Sequence, residues 1–163
     1  SMEDINELIG LTTLLKDARN TGLEERSMDM ICSNNTFEHI EGDVLKGILV
    51  EYKRIIKPGG VMSHFIDMSD HFAHFDKKIT VYNFLKYSTK SWRMIDNKIQ
   101  PQNRFRHMDY LEMYKDLDIP VTEEKIDEGN AEMLALVKVN PEFKAYSQEQ
   151  LAITHAYLVS KMN

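Results

Sequence analysis

The apolar residues of this chain come in short clusters whose spacing changes from segment to segment. Residues 28–33 form a brief apolar run halted by Ser33, Asn34 and Asn35, a pattern that predicts a buried strand. Residues 43–56 place Val44, Leu45, Ile48, Leu49, Tyr52, Ile55 and Ile56 on one stripe of a helix. Lys53, Arg54 and Lys57 crowd its last turn, where cations complement the negative end of the helix dipole. Pro58 cannot continue the helix and Gly59-Gly60 supply a tight reversal, so residues 61–68 predict a second buried strand. Strand, helix and strand in that order make a βαβ unit, whose crossover is right-handed within a parallel sheet.

The remaining segments are less regular. Residues 5–16 suit a helix through Leu8, Ile9, Leu11, Leu14 and Leu15, or a strand through Thr12-Thr13. Residues 77–87 and 89–94 predict short helices carrying aromatics, and 100–107 a polar loop with Arg104 and Arg106. Tyr110, Leu111, Tyr114 and Leu117 mark an amphipathic helix closed by Pro120. A strand is expected over 121–126 and helical spacing over 131–139, until Asn140-Pro141 stops it. Ser147 with Gln150 forms a capping box, and the β-branched and aromatic residues of 153–159 predict a last strand. No repeat or Gly/Ser linker divides the chain, so residues 1–163 are expected to form a single α/β domain with its sheet between helices.

Composition narrows the possible functions. Asp and Glu total 26 against 20 Lys and Arg, a formal charge of -6, which argues against binding a nucleic-acid backbone. No stretch approaches the ~18 apolar residues of a membrane span. Cys32 is the single cysteine, which precludes an internal disulfide and fits a reducing compartment. With no basic-then-apolar leader visible, the expectation is a soluble, cytoplasmic protein.

Three segments together resemble the later part of the class I S-adenosylmethionine-dependent methyltransferases. They are Asp17-Ala18-Arg19 with Thr21-Gly22-Leu23; Asp29-Met30-Ile31-Cys32-Ser33-Asn34 followed by Phe37-Glu38-His39-Ile40; and Arg54-Ile55-Ile56-Lys57-Pro58-Gly59-Gly60. The stretch from Ser63 through Asp70-His71 to Trp92 also resembles a small subgroup of methyltransferases of unsettled substrate. The resemblance implies a partial Rossmann-like sheet, mostly parallel with an antiparallel last strand, and helices on both faces. It implies methyl transfer from S-adenosylmethionine to an unidentified acceptor, which the charge favours as a small molecule over DNA, and neither nucleic acid nor membrane is expected as a partner. Asp17 matches the acid that accepts from the adenine amino group, and Ala18 the neighbour whose N–H reaches the adenine ring. Ser33 and Asn34 match positions beside the methyl donor and substrate, at the strand end where open α/β sheets bind ligands.

The chain departs from the family at its front. Upstream of Asp17 the only glycine is Gly10, so neither the glycine-rich cofactor loop nor the ribose-binding acid is present. The chain therefore reads as N-terminally truncated relative to the family, with cofactor binding expected to be weak or absent. The alternative is a non-catalytic, methyltransferase-like interaction protein. In the family sheet the first strand lies beside the fourth, so its absence would uncover the strand at 28–33. Such an edge is a template for pairing. It is expected to be covered by residues 9–16 folding back, or by a second copy in a homodimer.

Few residues are obligatory for methyl transfer, because the cofactor carries the reactivity. His39, a few residues past the fourth strand, is the candidate catalytic group, a base near neutral pH; packing or capping would equally account for it. Asn35-x-x-Glu38-His39 resembles the Glu-x-x-Glu-His metal site of some methyltransferases. Asn35 replaces one carboxylate, and no metal is expected. His64, Asp67, Asp70, His71, His74 and Asp76 are the densest cluster of potential ligands. His64 and Asp67 differ in strand parity and cannot converge, Asp70 suits an N-cap, and a metal there would need a ligand from elsewhere. Asp67, His71, Tyr82, Asn83, Trp92 and Arg104 are expected to line the substrate pocket, although an aromatic-rich segment serves a core equally well.

Overall fold

The protein, described by a computed structural model over residues 10–96 and 100–163, is built on a mixed four-stranded sheet. The strands are β1 (Met28–Asn34), β2 (Ile56–Asp67), β3 (Glu123–Asp127) and β4 (His155–Lys161), ordered β1-β2-β4-β3. β1 and β2 are parallel, joined by helix α1 (Gly42–Ile55), while β4 runs antiparallel to β2 and β3. The α/β fold with an antiparallel last strand is the one the sequence implied.

Local sequence explains the departures from the expected boundaries. β2 starts directly at the end of α1 rather than after the Pro-Gly-Gly turn. Met28 pairs with Ile56 and Met30 with Val61, so residues 57–60 stand opposite Asp29 alone as a bulge. Gly59 has φ +79, a conformation that penalises a Cβ. Its N–H donates to Met162 O at 2.8 Å and Gly60 O accepts from Met162 N–H at 2.9 Å, tying the bulge to the end of β4.

Alternation along β2 and β4 defines the core face. Met62, His64, Ile66, Ala156, Leu158 and Ser160 are buried, while Val61, Ser63, Phe65 and Val159 are half-buried and Tyr157 is exposed. Leu45 and Leu49 of α1 cover the buried face together with Tyr110, Met113 and Tyr114 of a helix at His107–Asp116. A second core gathers Tyr82, Phe84, Leu85, Trp92, Leu134, Phe143, Leu151 and Ala152. They come from the segments after β2 and from the residues leading into β4.

In this second unit the expected helix over 77–87 shrinks to a single 3-10 turn at Asn83–Lys86. The helix at Thr89–Ile95 is capped by Ser88, whose side chain accepts from Ser91 N–H. The helical spacing of 131–139 yields only Ala131–Ala135, and Ser147 with Gln150 makes the expected capping box on Gln148–Ala152. Just before Ala131, an added Cβ on Gly129 would lie 1.9 Å from Ala152 O, so glycine is required for that close approach.

The loop over 100–107 is not the solvated segment its polarity suggested. Gln102, Arg106 and His107 are buried, and Arg106 is 0% exposed. Its guanidinium donates to Met68 O at 2.7 Å, to Leu151 O at 3.0 Å and to Ile153 O, pinning the end of β2 to the chain entering β4.

β1 also differs from expectation: its residues are half-buried or exposed, with Met30 60% exposed. Residues 5–9 of the ambiguous first segment lie outside the described residues. Residues 10–16 carry no regular structure, leave Leu11, Leu14 and Leu15 exposed, and do not pair with β1. The cover that residues 9–16 were expected to give β1 is therefore absent among the described residues. Exposed backbone solvated by water is the alternative to pairing, and Thr12-Thr13 alone do not supply an apolar face to hold a strand there. No helix among the described residues is long and apolar enough to cross a membrane.

Candidate functional site

The parallel strands β1 and β2 end side by side, and the segments leaving them bring an acid–imidazole cluster together. After β1 the chain turns through Asn35, at φ +48, into a 3-10 turn over Phe37–His39. After β2 it enters a second 3-10 turn over His71–His74, capped by Asp70, whose Oδ1 accepts from Phe72 N–H at 2.9 Å. Glu38 and His39 from the first turn meet His71 from the second: one ligand-type atom of each lies within 4.8 Å of the others. The His39 and His71 rings meet edge-on with centroids 4.9 Å apart.

The electrostatics of this cluster are unusual. Glu38 is 1% exposed, and among the described residues neither carboxylate oxygen makes a well-formed hydrogen bond. Burial pushes its carboxyl up to about 7 and the nearby Asp67 adds to the rise, against weaker pulls from backbone N–H groups and His71. Asp67 behaves in the opposite way. Burial opposes its ionisation, but His71, Ser69 and His155 outweigh that and hold it near 2. His71 Nε2 stands 3.4 Å from Asp67 Oδ2, an ion-pair distance without hydrogen-bond alignment, and this pairing pushes the imidazole up. His155 Nε2 approaches Asp67 Oδ1 at 3.4 Å from the other side.

His39 joins the cluster to a cleft of about 540 Å³ lined also by Trp92, Asn103, Phe105, Phe143 and Tyr146. Its Nδ1 lies 2.9 Å from Pro101 O, which can only accept, so Nδ1 carries the hydrogen and Nε2 the lone pair. The Gln100 side-chain amide reaches that Nε2 at 3.3 Å, and Glu38 Oε1 lies 4.0 Å from it.

The other expected site residues are distributed unevenly. Trp92 lines the cleft, with its indole N–H donating to Gln102 O at 2.8 Å. Arg104 also reaches the cleft wall, but its guanidinium is used by Phe84 O, Tyr87 O and Thr89 Oγ1, with Glu142 at 3.8 Å. Burial lowers its affinity for the proton, and it serves the second core rather than an incoming anion. Asn83 donates to Asp70 Oδ2 at 3.2 Å. Tyr82 is 0% exposed, and its hydroxyl donates to Ala152 O and accepts from Asn130 N–H. Tyr82 therefore lines no accessible wall, because its ring completes the second core.

On the cofactor side, Ser33 Oγ lies 2.7 Å from His64 Nδ1, and Asn34 is exposed at the strand end. His64 stays in the core, as strand parity requires. It is stacked on Phe37 and Tyr52, and burial depresses its imidazole to about 4. Asp17 is exposed, and both of its oxygens accept from Arg19, which holds the carboxyl down to about 2. Ala18 is half-buried in the same segment. That segment lies along α1, with Arg19 against Gly47 and Thr21 donating to Glu51 Oε1 through both N–H and hydroxyl.

Sequence reasoning named Glu38 only within the Asn35-x-x-Glu38-His39 motif and did not foresee its burial. Its apolar-run neighbours Phe37 and Ile40 were the available signal, since a residue between them in a tight turn is drawn into the core.

The profile of a methyltransferase domain family matches residues 3–63. Solved methyltransferase structures share the fold. One is the geranyl diphosphate C-methyltransferase of Streptomyces coelicolor, solved with Mg2+, geranyl diphosphate and S-adenosyl-L-homocysteine. At 12% identity and TM-score 0.60, the match covers 99% of this chain and 57% of that one. Another is the 1,6-didemethyltoxoflavin-N1-methyltransferase of Burkholderia thailandensis, at 10% identity and TM-score 0.56, covering 99% and 56%. The PH0226 protein of Pyrococcus horikoshii matches at 13% identity and TM-score 0.60, covering 99% and 65%. This chain thus spans less than two thirds of the length of these structures, and the likeness is one of fold. No curated protein sequence matches the chain.

Proposed function

We propose that this chain, which has the fold of the class I S-adenosylmethionine-dependent methyltransferases, forms the acceptor side of a methyl-transfer site acting on a small molecule. The observation that carries this reading is the cleft lined by His39, which lies in the turn that follows the carboxyl end of β1 at Asn34. A bound S-adenosylmethionine would supply the electrophilic methyl group, which leaves to this chain's residues the tasks of orienting the acceptor and receiving its proton. The His39 Nε2 lone pair, fixed by the Pro101 carbonyl, is the group for that task. Trp92, Phe105 and Phe143 give the cleft apolar walls, and the chain's net charge of -6 favours a small acceptor over a nucleic acid.

The groups assigned to the cofactor do not fit it well as they stand. Asp17 is saturated by Arg19 and Ser33 is bonded to His64. With Asp17 and Ser33 engaged in this way, weak binding of the cofactor by these residues is the expected outcome. Titration with S-adenosylhomocysteine, followed by calorimetry and amide chemical shifts, tests both parts. Weak binding with shifts at Ala18, Ser33 and Asn34 is expected. Micromolar affinity would overturn the weak-binding argument, and an unperturbed β1 end would overturn the cofactor assignment.

The second reading, a non-catalytic interaction protein, is favoured by the contrast between the sheet edges. β3 presents Glu123, Glu124 and Lys125, whereas β1 presents Met30 and Cys32. Charge blunts an edge against pairing, and an apolar edge invites it. Under this reading two copies pair through residues 28–33. Light scattering after size exclusion would detect the homodimer; a monomer at high concentration removes it.

A further inference from the structure

We infer that the lobe formed by residues 71–95, beside the cleft, docks the protein on an anionic membrane surface. The sequence is polarised there. The chain as a whole carries a formal charge of -6, yet residues 71–95 hold Lys77, Lys78, Lys86, Lys90 and Arg93 against Asp76 alone. All of these cations are exposed. The same stretch leaves Phe72, Phe75, Met94 and Ile95 at the surface, with Phe75 89% and Met94 75% exposed. Cations beside exposed aromatic and aliphatic side chains make the composition of a segment that lies in a bilayer interface.

The fold gathers these residues into one surface. Trp92 is the buried residue of the helix Thr89–Ile95, so Lys90 and Met94, one turn apart, stand on the side of that helix turned away from the core. Phe72 packs edge-on against the Trp92 ring, with centroids 6.0 Å apart. Phe72 and Phe75 share a crevice with Asp96, the residue that follows Ile95. Lys77 and Lys78 come just after Phe75 in the chain. The bordering acids are engaged by the chain's own donors. Asp76 Oδ1 accepts from Lys78 N–H at 2.9 Å, Asp96 from Gln102 N–H at 3.1 Å, and Glu142 from the N–H and hydroxyl of Thr89.

Other occupants match this lobe less well. A protein interface is depleted of lysine, and this surface is rich in it. Single-stranded nucleic acid stacks its bases on rings, whereas Met94 and Ile95 are aliphatic. An anionic bilayer meets both features at once: its headgroups attract the cations, and the acyl boundary accepts Phe75, Met94 and Ile95. The expectation of no membrane partner rests on the acidic average and on the want of a spanning stretch, and neither bears on lying against a surface. Trp92, Arg93 and Asp96 also line the cleft, so docking by this lobe brings the cleft next to the lipid.

The test is co-sedimentation of the chain with phosphatidylcholine vesicles, with and without phosphatidylserine. Binding to the phosphatidylserine vesicles is expected, and it should weaken as salt is raised. Lys77→Gln and Lys90→Gln should each lower partitioning about fivefold, the equivalent of ~1 kcal/mol per cation. Phe75→Ser should lower it at least about tenfold. Met30→Ser, which removes an exposed apolar side chain from β1 instead, should change it less than about twofold. All four positions are exposed, so the variants keep the fold. Absence of binding to the anionic vesicles, or binding indifferent to phosphatidylserine and to the lysine variants, overturns the proposal. So does self-association or oligonucleotide binding that Phe75→Ser abolishes while the vesicles are ignored. Neither methyl donor nor acceptor is added, so the result is read apart from the methyl-transfer proposal.

Discussion

Arg106 and Glu38 are both charged residues withdrawn almost entirely from water, yet the protein treats them in opposite ways. Arg106 is 0% exposed and donates to the carbonyls of Met68, Leu151 and Ile153. Burial lowers its pKa only to about 10, so it remains protonated at neutral pH. Glu38 is 1% exposed, and among the described residues its oxygens make no well-formed hydrogen bond. Arg106 Nε has no hydrogen-bond partner among the described residues, but a buried charge whose other nitrogens bond three carbonyls holds segments together, whereas one whose oxygens make no well-formed hydrogen bond stores a cost that a ligand or a proton relieves. The first is architecture and the second marks a site.

The comparison is sharpened by removing each charge. Arg106→Met should have the largest effect. It orphans three buried carbonyls and unpins β2 from the chain entering β4, for a loss of about 3 kcal/mol or more in denaturant unfolding. A smaller change in that variant would mean that the carbonyls find water and that the clamp is dispensable.

His64 gives the next largest effect and carries a pH dependence. Its folded value is about 4 because of burial, below the ordinary 6.5. As pH falls through that window the unfolded chain takes up a proton that the folded chain refuses. Stability at neutral pH is therefore lost progressively, and the loss is complete below the folded value. The contribution is roughly 3 kcal/mol. His64→Gln should flatten that part of the stability–pH curve between pH 4 and 7; an unchanged slope would show that the imidazole titrates normally.

Glu38→Gln should have the smallest effect, and of the opposite sign. The variant keeps the shape of the side chain and loses a buried acid whose oxygens make no well-formed hydrogen bond among the described residues. It should match the unaltered protein or exceed it by up to about 1 kcal/mol in urea unfolding. A clear destabilisation would mean that Glu38 is structural and that the contrast with Arg106 does not hold.

Much of the architecture was legible because its signals are local. The stripe of 43–56 and the Ser147–Gln150 capping box each act within a turn or two and appear close to where the sequence puts them, whereas Pro-Gly-Gly, expected to separate helix from strand, forms a bulge inside β2. The candidate site was legible only in halves. His39 and His71 stand out as titratable groups past strand ends, but periodicity gives no distance between segments joined by a crossover. Tyr82 and Arg104 carry the chemistry of pocket residues and are spent on the second core, because a ring or guanidinium near buried carbonyls is satisfied there first. The burial of Arg106 was invisible in a segment whose composition reads as loop.

Sequence alone determined the order of strands and helices, the acidic surface charge, and the resemblance of three segments to a methyltransferase. All of these depend on neighbours along the chain or on simple counting. The tertiary structure decided which polar groups are satisfied and which are not. It set Glu38 against His39 and His71 with no well-formed hydrogen bond to its oxygens among the described residues, and gave Arg106 three carbonyls from distant segments. The physical reason is that desolvation depends on what packs around a group from every direction, and the chain acquires those surroundings only on folding.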